Sequence, residues 1–345
     1  MQGKLRTDLV AFAAVALCAA AFCGCSGNGA ATGIDKKKIG LVFDVGGRGD
    51  KSFNDSAYRG LEAAKKDLGI DYTYIEPGEG ADKESALRQL ASGRQGLIFG
   101  TGFLFTDDIN NVSADFPDKM FACVDYALNP DKPVPSNVVA LKFREQEGSF
   151  LVGAIAGLVT KTNVVGFVGG MDIPLIHKFE LGFTAGVKAV NPNCRVIVEY
   201  AGVTGDAFKN PEKGKELAIS QIDEGADIIF HASGSTGLGV FEAARERNIK
   251  AIGVDSDQYS EAPGYILTSM VKNVDVGVEE TIKEYLAGTL KGGVVELGLD
   301  KNGVGYVYDE HNKNLIPPDV IAKVEDLKKR IISGEIKVPY LKESK

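Results

Sequence analysis

The stretch Phe43–Asp55, FDVGGRGDKSFND, closes the apolar run Ile39–Phe43 and opens a segment with helical periodicity. Strand, glycine-rich loop and helix in that order suit a phosphate cradle, but the residues depart from both phosphate motifs. A P-loop requires Gly-x-x-x-x-Gly-Lys-Ser. Here Asp50 precedes Lys51-Ser52 and Val45 stands at the first glycine position. Asp50 would repel a phosphate. The dinucleotide pattern fails as well, because Gly47-x-Gly49 is followed by Ser52 where a third glycine is needed. The glycines read as a flexible turn. Arg48-Gly49-Asp50 carries no adhesive meaning. What remains is Asp44 at the strand end, with Phe53 and Asn54 entering the helix. A carboxylate accepts hydrogen bonds from hydroxyls or amines, and a phenylalanine offers a flat apolar face. The pair suits a polyol or heterocycle, not an anion. Phe53 reads equally as a hydrophobic staple or core contact.

Outward from this loop the strand–helix alternation continues. Candidate strands are Ile39–Phe43, Tyr72–Ile75, Gly96–Phe99, Met120–Val124, Val138–Lys142, Val164–Val168, Arg195–Tyr200, Ile228–His231, Ala251–Val254 and Ile266–Ser269. Amphipathic helices are predicted over Ser56–Leu68, Lys83–Ser92, Glu147–Thr160, Phe179–Val190, Asn210–Glu224 and Gly237–Arg247. Such spacing predicts an α/β fold with parallel sheets covered by helices on both faces. An echo at an offset of 126 residues pairs Gly40 with Gly166, Val42 with Val168, Phe53 with Phe179, Gly60 with Gly186 and Ala63 with Ala189. Two like doubly wound lobes follow, each opening with an equivalent strand and helix. Ligands of doubly wound sheets sit beyond the carboxyl ends of the strands, so the cleft should be lined by strand-end loops.

Those loops repeat the chemistry of the first. Gly100-Thr101-Gly102 would let a ligand approach the backbone. Asp125, Asp255, Asp257 and Lys272 each follow an apolar run, and Ser233-Gly-Ser-Thr-Gly237 opens a helix. Single aspartates at helix starts are routine caps; Asp44, Asp125 and Asp255 at three strand ends are harder to explain that way. The serine–glycine run departs from a nucleophile elbow at Ser233. His177, His231 and His311 lack metal-ligand spacing. Paired carboxylates could serve glycoside chemistry, but hydroxyl-binding carboxylates look the same, and the chain is read as a binding protein without catalytic residues, cofactor or metal.

The chain has 345 residues, 44% hydrophobic, with 47 acidic and 39 basic residues and a net charge of −8. It can build one large or two medium cores. Its charge argues against nucleic acid as a partner. Lys4 and Arg6 precede the apolar run Leu9–Cys23, which ends in Phe22-Cys23-Gly24-Cys25. A positive start, a short apolar core and small residues make a secretory signal, too short for a comfortable span. Cys25, preceded by Gly24, fits a lipidation site, although Phe22 stands where leucine is usual. The expectation is a signal peptide over 1–25 ending at or just before Cys25, a flexible tether over 26–37, and a lipid-anchored protein of the cell membrane facing the periplasm or exterior. Outside this region only Cys123 and Cys194 remain, and both read as buried or isolated thiols.

Taken together the loops resemble one family. The run from Phe43 to Asn54 looks like the first loop of the basic membrane protein lipoproteins, which include a purine nucleoside receptor of spirochaetes. Val124-Asp125-Tyr126, Glu147-Gly-Ser-Phe-Leu-Val-Gly153, Phe208-Lys-Asn-Pro-Glu-Lys-Gly214, Ser233-Gly-Ser-Thr-Gly-Leu-Gly239 and Ile252-Gly-Val-Asp255 fit it too, in order, over about 38–345. The resemblance implies a type I periplasmic-binding-protein fold with three crossovers and a cleft between the lobes. It puts lobe 1 at 38–140 plus 256–271 and lobe 2 at 141–255 plus 272–345. It implies capture of a purine nucleoside (adenosine, guanosine or inosine) and delivery to an ABC-type permease. Phe53 and Phe208 would sandwich the base; the internal echo nominates Phe179 in place of Phe208. Asp44, Asn54 and Asp125 would hydrogen-bond base or ribose, Asp255 would accept from ribose hydroxyls beside Lys272, and Gly234 would offer backbone groups. Aspartates facing the ligand would disfavour nucleotides. A sugar receptor of the same fold, a nucleoside-acting enzyme and a surface antigen are the rival readings.

Overall fold

The computed structural model of the chain describes residues 33–78 and 82–341. The signal sequence, Cys25 and most of the predicted tether lie outside them. In chain order the first elements are β1 (Asp35–Val42), α1 (Phe53–Leu68), β2 (Asp71–Ile75), α2 (Lys83–Ala91), β3 (Gln95–Thr101), α3 (Thr106–Asp115), β4 (Met120–Val124) and β5 (Val138–Phe143). Next come α4 (Glu145–Val159), β6 (Val164–Met171), α5 (Pro174–Val190), β7 (Arg195–Gly202), α6 (Pro211–Asp223), β8 (Ile228–Ala232), α7 (Gly237–Arg247), β9 (Lys250–Asp255) and β10 (Ile266–Lys272). The last are α8 (Val274–Ala287), β11 (Gly293–Leu297), β12 (Val304–Tyr306) and α9 (Pro318–Ile332). β1 begins inside the segment expected to be tether.

Two six-stranded sheets result, ordered β11-β5-β4-β3-β1-β2 and β12-β10-β9-β8-β6-β7. All pairings within them are parallel except β12, which runs antiparallel to β10. The strands are apolar on both faces, as sheets covered on both sides require. Ile39, Leu41 and Phe43 join the core under α1 and α8, while Val42 points into the cluster under α2 and α3. In the second sheet Phe167 and Phe230 face the first of these clusters, and Val168 and Ile229 face α6 and α7. The two sheets share one strand plan, β1 to β5 matching β6 to β10.

The chain crosses between lobes three times: Phe143 to Glu145, Lys272 to Val274, and Leu297 to Leu299. One expectation is corrected here. The segment 256–271 does not return to the first lobe, because β10 hydrogen-bonds beside β9, pairing Thr268 with Ile252 and Met270 with Val254. The first lobe instead receives α8, packed on α1, and β11, paired with β5. An apolar run such as Ile266–Met270 suits either sheet, and only its neighbours decide. The expected glycine echo has a packing cause. A Cβ on Gly60 would meet the Asp275 backbone of α8 at 2.7 Å, and one on Gly186 would meet the Phe150 backbone of α4 at 2.0 Å. In each lobe a glycine lets the first helix touch the helix that has just crossed over. Cys123 and Cys194 are free and buried.

Candidate ligand-binding cleft

The first loop is organised by Asp50. Its carboxylate accepts from the backbone N–H groups of Ser52 at 2.9 Å, Asn54 at 2.8 Å and Asp55 at 3.1 Å, so it caps α1, and the helix starts at Phe53. Asn54 completes the loop. Its Oδ1 accepts from Asp44 N at 3.0 Å, and its Nδ2 donates to Asp50 at 3.0 Å and to Val45 O at 3.4 Å. Asn54 thus lines the cleft with its amide already engaged within the loop. Asp44 keeps one carboxylate oxygen on the Val45 N–H at 2.8 Å. Burial pushes its carboxyl up to about 7, against the pull of that N–H and of Lys83.

Asp125 directly follows β4 and Asp255 ends the equivalent strand β9, and each has φ of +63°. Left-handed backbone is unusual outside glycine, and aspartate is among the side chains that tolerate it. The bend turns both carboxylates into the space between the lobes. Asp125 receives Lys272 Nζ at 2.6 and 2.7 Å. Lys272 also lies 3.1 Å from Glu145, which pairs with Lys178 at 2.9 Å. Burial alone would lower the Lys272 ammonium and raise Glu145. Asp125 and Glu145 instead hold the lysine above its usual range, and Lys178 and Lys272 hold Glu145 down at about 2. Asp255 is pushed up to about 6 by burial, with Lys272 and the Ser52 hydroxyl pulling the other way.

The walls are aromatic. Phe53, Phe103, Phe179 and Phe208 all line the space. Lys272 Nζ lies 5.1 Å from the Phe53 ring centre and 5.7 Å from that of Phe179. Phe208 ends a short turn over Gly205–Phe208, and its ring lies where a Cβ on Gly170 would be, 2.2 Å from the nearest ring carbon. Gly234 (φ +56°) faces the Phe208 backbone. About 610 Å³ between the lobes, open solvent included, is free of protein atoms.

Asp44, Phe53, Asn54, Asp125, Phe208, Gly234, Asp255 and Lys272 therefore all come together on one cleft, and Phe179 lines it too. Asp257 does not: it is exposed and its carboxylate accepts from Tyr259 N. Phe103, Leu175 and Ile176 were not anticipated. Phe103 directly follows Gly102, so the strand-end rule could have found it. Leu175 and Ile176 were hidden because α5 starts at Pro174, five residues before the predicted Phe179. His231 is fully buried in β8, between Gln258 Oε1 at 3.1 Å and Ser233 Oγ at 3.3 Å; burial lowers it to about 4, leaving it neutral.

Residues 36–342 match the family described as Bmp, ABC transporter substrate-binding protein PnrA-like. The chain belongs to this PnrA-like family. It is 41% identical to a CD4+ T-cell-stimulating antigen of Listeria innocua, over 92% of this chain and 93% of that protein. It is 35% identical to a lipoprotein of Pyrococcus abyssi, over 91% and 87% of the two chains. The crystal structure of an ABC transporter solute-binding protein from Aeropyrum pernix covers 89% of this chain and 94% of its own, at 31% identity and a TM-score of 0.80. The PnrA-like protein is thus a substrate-binding protein with a type I periplasmic-binding fold, and its family and structural neighbours are solute-binding proteins. Among its described residues no helix is long and apolar enough to cross a membrane. Family membership implies a small-molecule ligand and a transporter permease.

Proposed function

We propose that this protein captures purine nucleosides in the interlobe cleft and delivers them to an ABC-type permease while anchored to the membrane through a lipid on Cys25. The observation that carries the reading is the pairing of hydroxyl-accepting carboxylates with flat apolar walls in one cleft: Asp44, Asp125 and Asp255 beside Phe53 and Phe208. In this reading Phe53 and Phe208 stack on the base, at roughly 1–3 kcal/mol per base as in other stacked sites. Asp255 accepts from the ribose hydroxyls, Lys272 donates beside it, and Asp44 and Asp125 bond the remaining polar edges. Gly234 offers backbone groups, and Asn54 acts by fixing the Asp44 loop.

The two lobes carry opposite walls of the stack, so hinge closure would assemble the site. The first lobe of this reading is built on β1–β5 with α8 and β11, the second on the remainder. The test is isothermal titration of the tether-free protein with adenosine, guanosine, inosine, cytidine and ribose, for wild type and Asp255→Ala. Tight binding of purine nucleosides, none of ribose, and loss of affinity in the variant are expected. Binding of ribose or a hexose alone would replace the reading with a sugar receptor.

A further inference from the structure

The chain carries a net charge of −8, yet one corner of the first lobe is basic. Strand β1 overhangs β2. Their pairing begins with Lys38 opposite Asp71, so Lys36 and Lys37 stand beyond the start of β2, and both are exposed. The last turn of α1 brings Lys65 and Lys66 to the same edge, also exposed. The two pieces meet at Gly69, the C-cap of α1, where an added Cβ would lie 3.6 Å from Lys37 Nζ. Lys38 and Arg94 complete the corner, paired with Asp71 at 3.8 Å and with Asp35 at 3.4 Å. Lys36, Lys37, Lys65 and Lys66 enter no ion pair among the described residues. They outnumber Asp67 and Glu284, the exposed acids near the ends of α1 and α8.

Helix electrostatics explains part of this. The negative end of α1 favours cations in its last turn, which accounts for Lys65, Lys66 and the Lys37 ammonium beside the cap. It does not account for Lys36, which overhangs in β1. Chain connectivity argues what lies opposite. β1 starts at Asp35, and nine residues separate it from Cys25. Nine residues reach at most about 30 Å. In the lipid-anchored reading, the tether therefore joins the bilayer to this corner. Lysines close to an anionic membrane surface are attracted within about one Debye length of it. The acidic remainder of the chain is repelled by the same field. Both forces turn the basic corner toward the headgroups.

We propose that this corner is a docking surface for anionic lipid headgroups, which seats the first lobe on the bilayer by the amino edge of its sheet. The proposal takes the position of the bilayer from the reading of Cys25 as the anchor, and it does not depend on the nucleoside reading. β1 runs from the corner to the cleft, so Lys36 and Asp44 are about 25 Å apart at about 3.3 Å per residue. Substitutions in the corner should therefore leave ligand binding alone. The test is co-sedimentation of the full mature chain, kept unlipidated by Cys25→Ser, with two kinds of vesicle: phosphatidylcholine alone, and equal parts phosphatidylcholine and phosphatidylglycerol. Wild type is compared with Lys36→Gln/Lys37→Gln, with Lys65→Gln/Lys66→Gln, and with Lys328→Gln/Lys329→Gln on α9 as a control of equal charge change. Binding is expected to the anionic vesicles only, and to be lost at high salt. One lysine near such a surface corresponds to about fivefold in partitioning, so each corner pair should weaken binding by about 10-fold or more. The α9 pair should stay within about twofold of wild type. No binding, equal binding to both vesicles, or an equal loss in the α9 pair overturns the docking surface. So does binding to soluble polyphosphate with none to vesicles, which would assign a soluble polyanion instead. Vesicle binding together with an unmodified Cys25 in the native protein, read by mass spectrometry, would leave the surface standing and remove the anchor.

Discussion

Ser52 Oγ lies 2.5 Å from Asp255 Oδ2, joining the first loop of one lobe to the last residue of β9 in the other. Two further bonds flank it. Ser256 Oγ donates to Ser52 O at 3.0 Å, and Gln258 Nε2 donates to Lys51 O at 3.0 Å. The lobes are therefore clasped by side chains at the margin of the cleft. Asp255 belongs to both the clasp and the cleft lining, so ligand contact and closure draw on the same carboxylate. A group shared in this way couples binding to lobe position without any further device.

Ser52→Ala removes the hydroxyl and leaves the Asp255 carboxylate with fewer partners. Hydrogen bonds to charged groups contribute about 1.5–3 kcal/mol. The closed state should lose roughly that much relative to the open one, lowering ligand affinity by about 10-fold or more. Titration calorimetry reads the affinity, and small-angle scattering of the ligand-free variant should show a larger radius of gyration. Wild-type affinity and radius would show that the clasp does not hold the lobes.

Acidity acts on the same groups. Asp255 titrates at about 6 and Asp44 at about 7 in the folded chain, against an ordinary value of 3.8. Between about pH 4 and 7 the folded protein holds these protons longer than the unfolded chain, so their contribution to stability falls as pH rises through that window. Ligand hydroxyls need ionised acceptors, so affinity should move the other way and rise from pH 5 to pH 7.5. Melting curves of wild type and Asp44→Asn across this range check the first part: the wild type should lose more stability on going to pH 7.5 than the variant. Affinity that is flat with pH would count against carboxylates as the hydroxyl acceptors.

The Lys272 cluster makes a separate prediction for stability. Lys272 is 2% exposed and sits between Asp125 and Glu145, with Lys178 beyond. Removing one partner of a buried ion pair costs about 3–5 kcal/mol, because the other charge is left uncompensated. Lys272→Met should therefore lower the denaturant midpoint strongly. Adding Asp125→Asn removes the carboxylate left without its ion-pair partner, Glu145 keeping Lys178, and should restore part of the loss. A double variant no more stable than Lys272→Met would show that charge is not the cause.

Much of this arrangement was legible because strand ends are legible. Apolar runs such as Ile228–Ala232 mark buried strands, and the residue after each run must stand at the sheet's carboxyl edge, so Asp44, Asp125, Asp255 and Lys272 were placed without knowing the sheet order. The sheet order itself was less accessible. β10 and β11 exchanged lobes relative to expectation because pairing is non-local, and β11, with Val294 half exposed, is a weak edge strand. Asn54 was seen as a ligand contact because sequence shows the type of a side chain and not its partners. Its amide is taken by Asp44, Val45 and Asp50, three residues of the same loop. The entry of Phe53 and Asn54 into α1 was legible, but the periodic range Ser56–Leu68 began late for a related reason: the cap comes from Asp50, whose carboxylate reaches forward to three N–H groups.

Gly170 provides the sharpest test of the aromatic wall. It is the penultimate residue of β6, at the position that the internal echo equates with Asp44, yet it carries no side chain. The Phe208 ring occupies that space: an added Cβ would lie 2.2 Å from one ring carbon and 2.5 Å from another. Gly170 has ordinary backbone geometry, so alanine there adds bulk without backbone strain. Gly170→Ala should displace the ring while leaving the sheet intact, with a destabilisation of about 1–3 kcal/mol from overpacking. If Phe208 stacks on the ligand, affinity should fall by about 10-fold or more, as for loss of one stacking face. Phe208→Ala should lose as much affinity, and the double variant should lose little beyond either alone, because both act on one ring. Phe179→Leu, altering the rival ring, should have the smaller effect. The reverse order in titration calorimetry would assign the stack to Phe179.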